Sequence, residues 1–472
     1  MIRCVLRRGG YAVLLLIAPV AGMVVPPGAI GLQPLGTTAT FLQARFACTD
    51  DELLHAERTL LQEHVEPCID PARAGDICAM LQSRFSLSEP ELRDMVLMRP
   101  QVLGGCKADI ASLLAALQSR LSLSESELRK VVLGLPSVLG CSFEANAKPT
   151  LAALQSRLAL NGRELKKVVI RLPGVLSLSF EAVEPSLAAL QLRLSLSEPE
   201  LKMVVLGRPT VLGLSYEANT APTLMALQSR LSLSDAELKK VVLGRTTVLG
   251  YSFEANIAPS LAALQSRLLL SESELRKVVL GLPTVLGYSF EANIAPSLGA
   301  LQSRLSLSDA ELKKVVLGRP TVLGLSFETN SKPALAALQT RLLLSEPELK
   351  KVILGHPQML GLSFEANIEP KLAFLLTEFS LSPEELRGRV LANPSLLSRS
   401  LELRYRPRVA LASALGVAGS LEMLRPAGMY TDAQFMGWLR RREQLGLADE
   451  DWAALCALPL VRRTGRVPSA QC

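Results

Sequence analysis

Apolar residues recur along this chain at i, i+3, i+4 and i+7 within blocks of about ten residues, and the blocks themselves return every 36 to 37 residues. Leu128, Val131, Val132 and Leu135 show the inner period, which predicts one buried stripe on an amphipathic helix. The outer period is set by a leucine eight residues ahead of a proline, as in Leu92 and Pro100, Leu165 and Pro173, Leu275 and Pro283, and Leu386 and Pro394. The Leu238 copy carries Thr246 where the others have proline. Self-similarity at this interval is the mark of a solenoid.

Each unit predicts two short helices. The second begins at a serine with glutamate three residues on, for example Ser124/Glu127, Ser234/Glu237 and Ser308/Glu311, with Asn161/Glu164 as the variant. Serine or asparagine accepts from orphan N–H groups of the first turn and the glutamate returns a bond, so each pair is a capping box. A proline ends this helix, and a Val-Leu segment such as Val138-Leu139 makes a tight turn. The first helix follows a second proline (Pro149, Pro222, Pro259 and their equivalents) and carries Leu151, Leu154 and Leu158 on one side.

Three-turn helices do not hold their shape alone in water, so neighbouring pairs must cover one another. The predicted fold is all-α, a right-handed-type helical-repeat solenoid (superhelix) of nine units over 81–410, each two short helices plus a Pro-started tight turn. Residues 50–80 are expected to cap the N-terminal end, and residues 411–472, with Trp438 and Trp452, to form capping helices at the other.

The first 49 residues read as a leader rather than as fold. They contain no Asp or Glu, and Arg3, Arg7 and Arg8 precede an apolar run from Tyr11 to Val25 that ends at Pro26 and Pro27. The run is too short for a stable membrane span. A secretory-type signal, a mitochondrial presequence and a two-part plastid leader with Thr37, Thr38 and Thr40 in its second part all fit. An organelle interior, mitochondrion or chloroplast, is the expected destination.

Composition argues against catalysis. Three histidines (His55, His64, His356) and no local carboxylate cluster are poor material for acid-base or metal chemistry. Eight cysteines without C-x-x-C spacing do not suggest a disulfide framework. Aromatic residues, at 4%, are too few for a stacking platform along single-stranded bases.

The net charge of +7 resides in the repeats, where a basic residue follows each periodic leucine. These are Arg93, Arg129, Lys166, Lys202, Lys239, Arg276, Lys313, Lys350 and Arg387. The next position is basic in Lys130, Lys167, Lys240, Lys277, Lys314 and Lys351, and is Asp94, Met203 or Gly388 otherwise. On a helical wheel the second position lies opposite the apolar stripe and the first at its margin. Stacking would turn both into a ladder of positive charge suited to phosphates, or simply into a solvated face. A further column, Arg84 to Arg341, ends the first helices, where arginine suits the helix dipole. Arg208, Arg245 and Arg319 replace leucine just before the proline or its threonine substitute and are candidates for variable readout; His356 takes the same slot. The recurrent asparagine (Asn219, Asn256, Asn293) is expected to satisfy loop backbone.

This unit, together with the ending Asn393-Pro394-Ser395-Leu396-Leu397 through Leu401-Glu402 to Arg404-Tyr405-Arg406-Pro407-Arg408-Val409, resembles the mitochondrial transcription termination factor (mTERF) family over about residues 81–415. The resemblance implies an organelle-targeted superhelical protein that binds nucleic acid along a basic concave face and regulates transcription, with double-stranded DNA favoured. RNA splicing or ribosome assembly within the same family, or a protein-binding scaffold, are the alternatives. It adds Arg404 and Arg408 to the candidates and implies a monomer with no cofactor and no small-molecule substrate; the C-terminal region could hold a protein partner. Units as alike as 228–264 and 265–301 imply that phosphate and shape contacts outweigh base reading.

Overall fold

The computed structural model describes residues 37–62, 69–140, 143–417 and 421–458. The apolar run Tyr11–Val25 and its flanking arginines lie outside the described residues. All regular structure among the described residues is helical, and no helix of theirs is long and apolar enough to cross a membrane. The chain divides into two compact units, Met1–Leu114 and Ala115–Cys472.

In the second unit the predicted helix pair repeats as follows. Second helices run Glu125–Gly134, Gly162–Arg171, Glu198–Gly207, Asp235–Gly244, Glu272–Gly281, Asp309–Gly318, Glu346–Gly355 and Pro383–Ala392. Each opens with the capping box read from the sequence. The stripe is buried as expected at its first three positions: Leu238, Val241 and Val242 are inaccessible, as are Leu275, Val278 and Val279. The fourth position differs. Leu135 and Leu282 are only half-buried, because the chain leaves the helix there in an extended conformation (Leu135 φ −148°, ψ 76°).

Proline disfavours helical backbone in the residue before it, which accounts for that exit in most units. Arg245 exits with the same angles (φ −148°, ψ 79°) although Thr246 follows it. Packing therefore imposes the turn: Val248 and Leu249 of the 3-10 turn Thr246–Gly250 are buried like their counterparts after proline.

The first helices begin earlier than predicted. In most units a five-residue π-helical turn, such as Phe253–Ile257 or Phe290–Ile294, runs straight into the α-helix and places the proline in the helix's first turn. Ser252 Oγ caps this turn at Ala255 N–H (3.2 Å), and Asn256 Oδ1 accepts from Ser252 N–H at 3.1 Å. The recurrent asparagine thus does satisfy backbone, inside a helix rather than in a loop. Phe180–Leu194 is instead one continuous α-helix enclosing Pro185.

The two helices of a pair are joined through one residue in left-handed conformation: Ser122, Ala159, Ser195, Ser232, Leu269, Ser306, Leu343 or Ser380, with φ between 47° and 50°.

After the helix Arg406–Ala414, the segment 421–440 folds back, and Arg408 and Arg404 are the reason. Arg408 is wholly buried and donates to the carbonyls of Pro426 (3.0 Å), Ala427 (3.1 Å) and Tyr430 (2.8 Å) and to Asp432 Oδ1 (2.6 Å). Its guanidinium lies 4.9 Å from the Phe435 ring centroid. Arg404 donates to the carbonyls of Gly428 and Tyr430. Both leave the set of nucleic-acid candidates: they hold the C-terminal cap. The cap comprises Leu424–Met429 and Asp432–Arg440, followed by Asp449–Ala457, which buries no residue.

In the first unit the described residues include part of the stretch read as leader. Thr37–Phe46 is a helix that buries Thr38, Ala39, Leu42 and Phe46. It pairs with Asp50–Gln62, whose start is a capping box between Thr49 and Glu52. Pro71–Phe85, capped by Asp70, is the first helix of the unit completed by Glu89–Met98. The described part of 50–80 thus carries the same capped helices as the repeats, in a sequence too divergent to show it.

Each second helix from Glu125–Gly134 to Glu346–Gly355, apart from Gly162–Arg171, ends in a glycine that faces the proline ring, or Thr246, of the following unit. A Cβ built on Gly281 would sit 2.8 Å from Pro320 Cγ. Gly281→Ala should lower stability by about 1–3 kcal/mol through overpacking, as read by urea denaturation. Gly388, exposed in mid-helix with nothing near its would-be Cβ, should respond oppositely, with Gly388→Ala gaining up to about 1 kcal/mol.

Candidate nucleic-acid interface

The basic columns part company once their partners are known. Beside the periodic leucine, each basic residue from Lys166 to Arg387 reaches back to the capping-box glutamate of the preceding unit. Lys166 Nζ lies 2.6 Å from Glu127, Lys202 2.7 Å from Glu164, Lys239 2.7 Å from Glu200, Lys313 2.7 Å from Glu274 and Lys350 2.7 Å from Glu311. Arg276 and Arg387 make the same bond to Glu237 and Glu348. The lysines also donate to the carbonyl of the left-handed residue in that unit, Lys166 to Ser122, Lys239 to Ser195 and Lys350 to Ser306, each at 2.8 Å. This column is an inter-unit clamp, half-buried and neutralised, and does not form the expected open ladder. Arg129 also has an interaction partner.

Lysine or arginine, together with the N–H of the capping serine, holds the carboxyls of Glu127, Glu200, Glu237 and Glu348 down to about 2. Opposite charge and hydrogen bonding both favour the ionised form.

The arginines ending the first helices are clamps of a second kind, directed forward. Arg193 reaches Gln228 and Asp235 (3.0 Å), and Arg267 reaches Gln302 and Asp309 (3.0 Å). Arg230 and Arg304 pair with Glu272 and Glu346. Helix-end electrostatics is only part of their role; they tie one unit to the acidic first turn of the next.

The first unit repeats both devices. Arg93 bonds Glu52 at 2.6 Å, and Arg45 bonds Glu89 at 2.8 Å with Gln82 alongside. The spacing Arg45, Thr49, Glu52 was the available signal for this additional pair.

The second basic position remains open. Lys130, Lys167, Lys240, Lys277, Lys314 and Lys351 are exposed, and none makes an ion pair or hydrogen bond among the described residues. They project from the outer face of the second helices, opposite the buried stripe, as the wheel predicts. Lys314 and Lys351 border a shared surface depression of about 410 Å³, with Pro347 and Leu354 in its floor. Met203 interrupts the row and is 48% exposed.

Arg208, Arg245 and Arg319 are half-buried at the ends of second helices. Arg208 lies over the Tyr251 ring (5.7 Å to the centroid), and Arg319 donates to the Gln358 carbonyl at 3.1 Å. None of the three pairs with a carboxylate among the described residues. Arg399, which sequence reasoning passed over, is in the same environment: its charge reaches His356, whose basicity is lowered by burial and then by Arg399 and Arg319. Its signal was positional, since it stands one unit after Leu362 and two after Leu325.

With this geometry in hand, the comparison with known families is specific. The mTERF family profile matches residues 52–232, 188–299 and 231–425, which together cover most of the chain. No curated protein matches it.

The clamp makes a prediction about acid. A carboxyl held near 2 in the fold and near 4.3 in the unfolded chain contributes stability above the upper value and loses it as pH falls toward the lower. The melting temperature should be level from about pH 7 to 5 and fall below that. Glu237→Gln should cost melting temperature at neutral pH and progressively less toward about pH 3; an equal loss at both would show that the ion pair contributes nothing.

Proposed function

The chain belongs to the mTERF family, and from that premise we propose that it is an organellar factor that binds nucleic acid without catalysis and regulates gene expression by occupying double-stranded DNA, transcription termination being the regulated step. The observation that carries this reading is the row Lys130, Lys167, Lys240, Lys277, Lys314 and Lys351. Every other repeating cation beside the periodic leucine, from Lys166 to Arg387, is held by a carboxylate, whereas these six face solvent at the same position of six units. A regular row of mobile ammonium groups suits the regular charge of a phosphate backbone, and each contact formed releases counterions.

Rungs so alike favour affinity without much base discrimination, because phosphates position a protein while base edges specify a sequence. Packed helices advance roughly 8–10 Å per unit, so one rung spans about three base pairs at 3.4 Å each. The scarcity of aromatic side chains favours duplex over single strands, which are usually gripped by stacking. A bound factor of this kind acts by obstruction, and its effect follows its residence time.

The test compares mixed-sequence duplex DNA with single-stranded RNA over about 50–300 mM salt. Changing Lys240, Lys277, Lys314 and Lys351 to glutamine should weaken duplex binding and reduce the salt slope by about 4 if all four engage phosphates. Changing Lys239 and Lys313 should lower the melting temperature and leave the slope nearly unchanged. Stronger binding to RNA than to duplex would transfer the reading to RNA processing, and no binding to either would overturn it.

A further inference from the structure

In the second unit the slot where the chain leaves each second helix contains, in order, Leu135, Leu172, Arg208, Arg245, Leu282, Arg319, His356 and Asn393, and in the first unit Arg99 takes it. In the second unit its titratable residues come as two pairs, Arg208 with Arg245 and Arg319 with His356, separated by Leu282. Arg208, Arg245 and Arg319 each lie across the glycine that ends the next unit's 3-10 turn, Gly250, Gly287 and Gly361, where any Cβ would collide with the guanidinium. Each of these glycines leaves room for the guanidinium, while the equivalent Gly213 has nothing within 4 Å of a built Cβ.

Side chains gather around each pair. At the first, Arg208 covers the Tyr251 ring; burial pushes the Tyr251 hydroxyl up, but Thr247, Arg245 and Arg208 around it outweigh that and leave it lowered. At the second, half-buried His356 is lowered first by burial and then by the charges of Arg399 and Arg319. Hydrogen bonding is incomplete in both groups. Nε of Arg208, Arg245, Arg319 and Arg399, Nε2 of His356, and Oγ1 of Thr210, Thr247 and Thr321 are buried without a partner. Arg276 and Arg387 also leave Nε unpaired, but each holds a carboxylate.

A half-buried cation lacking both a counter-charge and a full set of hydrogen bonds is costly. The cations beside the periodic leucine from Lys166 to Arg387, and Arg193, Arg230, Arg267 and Arg304, are neutralised by glutamate or aspartate, and Lys371 and Arg404 are held by carbonyls, so this slot stands apart from the other repeating columns. Guanidinium forks match phosphate oxygens in a two-pronged geometry that lysine cannot supply.

We propose that this slot is a bipartite phosphate-binding face, with one clamp at Arg208, Arg245 and Tyr251 and another at Arg319, His356 and Arg399, gripping one nucleic acid at two separate points. The inference rests on the nucleic-acid reading above and adds to the lysine row a set of discrete anchors. Equivalent residues of the two clamps stand three units apart, roughly 24–30 Å by helix packing distances. At 3.4 Å per base pair that is about 7–9 bp, so a duplex longer than about 9 bp can reach both clamps, with Leu282 between them.

The experiment uses the full chain and mixed-sequence duplexes of about 25 bp and about 6 bp, the shorter closed by a hairpin loop and, at roughly 20 Å, too short to reach both clamps. The variants are the pair Arg208→Gln/Arg245→Gln and the pair Arg319→Gln/Arg399→Gln. Two linked contacts gain avidity only when the ligand spans both. On the long duplex either pair should lose about tenfold or more in affinity and approach the affinity of the short duplex. On the short duplex either pair should lose about twofold or less, because the remaining clamp still binds. Should a glutamine pair unfold the chain, Arg208→Lys with Arg319→Lys preserves the charge and removes the fork, and about a threefold loss on the long duplex is expected. Equal losses at both lengths, or unchanged binding in a folded variant, overturn the bipartite face. If the unaltered protein binds neither duplex, the duplex reading falls along with it; if it binds duplex through the lysines alone, only the bipartite face falls.

Discussion

The structure depends on a carboxylate used twice. A capping-box glutamate satisfies the backbone N–H that opens its own helix and also receives the lysine or arginine of the following unit. That lysine in turn donates to the carbonyl of the left-handed residue joining the earlier helix pair. Local helix initiation, the strained link and the contact between units therefore share one cluster of atoms. A left-handed conformation costs an ordinary residue roughly 1–2 kcal/mol, and its repeated occurrence at serine, alanine and leucine is consistent with a neighbour that fixes the carbonyl in place.

Because the clamp is the same from unit to unit, it determines which cations remain for other purposes. Net charge and residue counts do not separate a lysine locked to glutamate from one facing solvent. Lys239 and Lys240 are adjacent and chemically identical, yet one is a fastener and the other is open to a partner. The same logic sets aside Arg408, which is spent wholly inside the C-terminal cap, and draws attention to arginines that the protein leaves without a counter-ion.

Much of the local architecture was legible in the sequence because its causes are local. Capping boxes, the Leu-Val-Val stripe and the proline stops operate within a few residues, and all appear where the pattern puts them. What was misread involved distant partners. Leu135 continued the stripe on a wheel, but a wheel does not show that the helix has already ended. The helix pair Thr37–Phe46 and Asp50–Gln62 escaped the periodicity because its sequence has diverged, while its capping box and clamp residues persist.

By itself the sequence determined that this is an all-helical repeat protein of the mTERF type, since 3.6-residue periodicity and terminal caps act through near neighbours and a 37-residue interval multiplies them. Only the tertiary structure decided which of its many cations are neutralised. The partners of Lys166, Lys313 and Arg193 lie about one unit away along the chain, and ion pairing depends on distance in space, which a linear pattern does not contain. The glycines under Arg208, Arg245 and Arg319 belong to the same class of fact: each looks like a turn residue until the neighbouring unit lays a guanidinium across it.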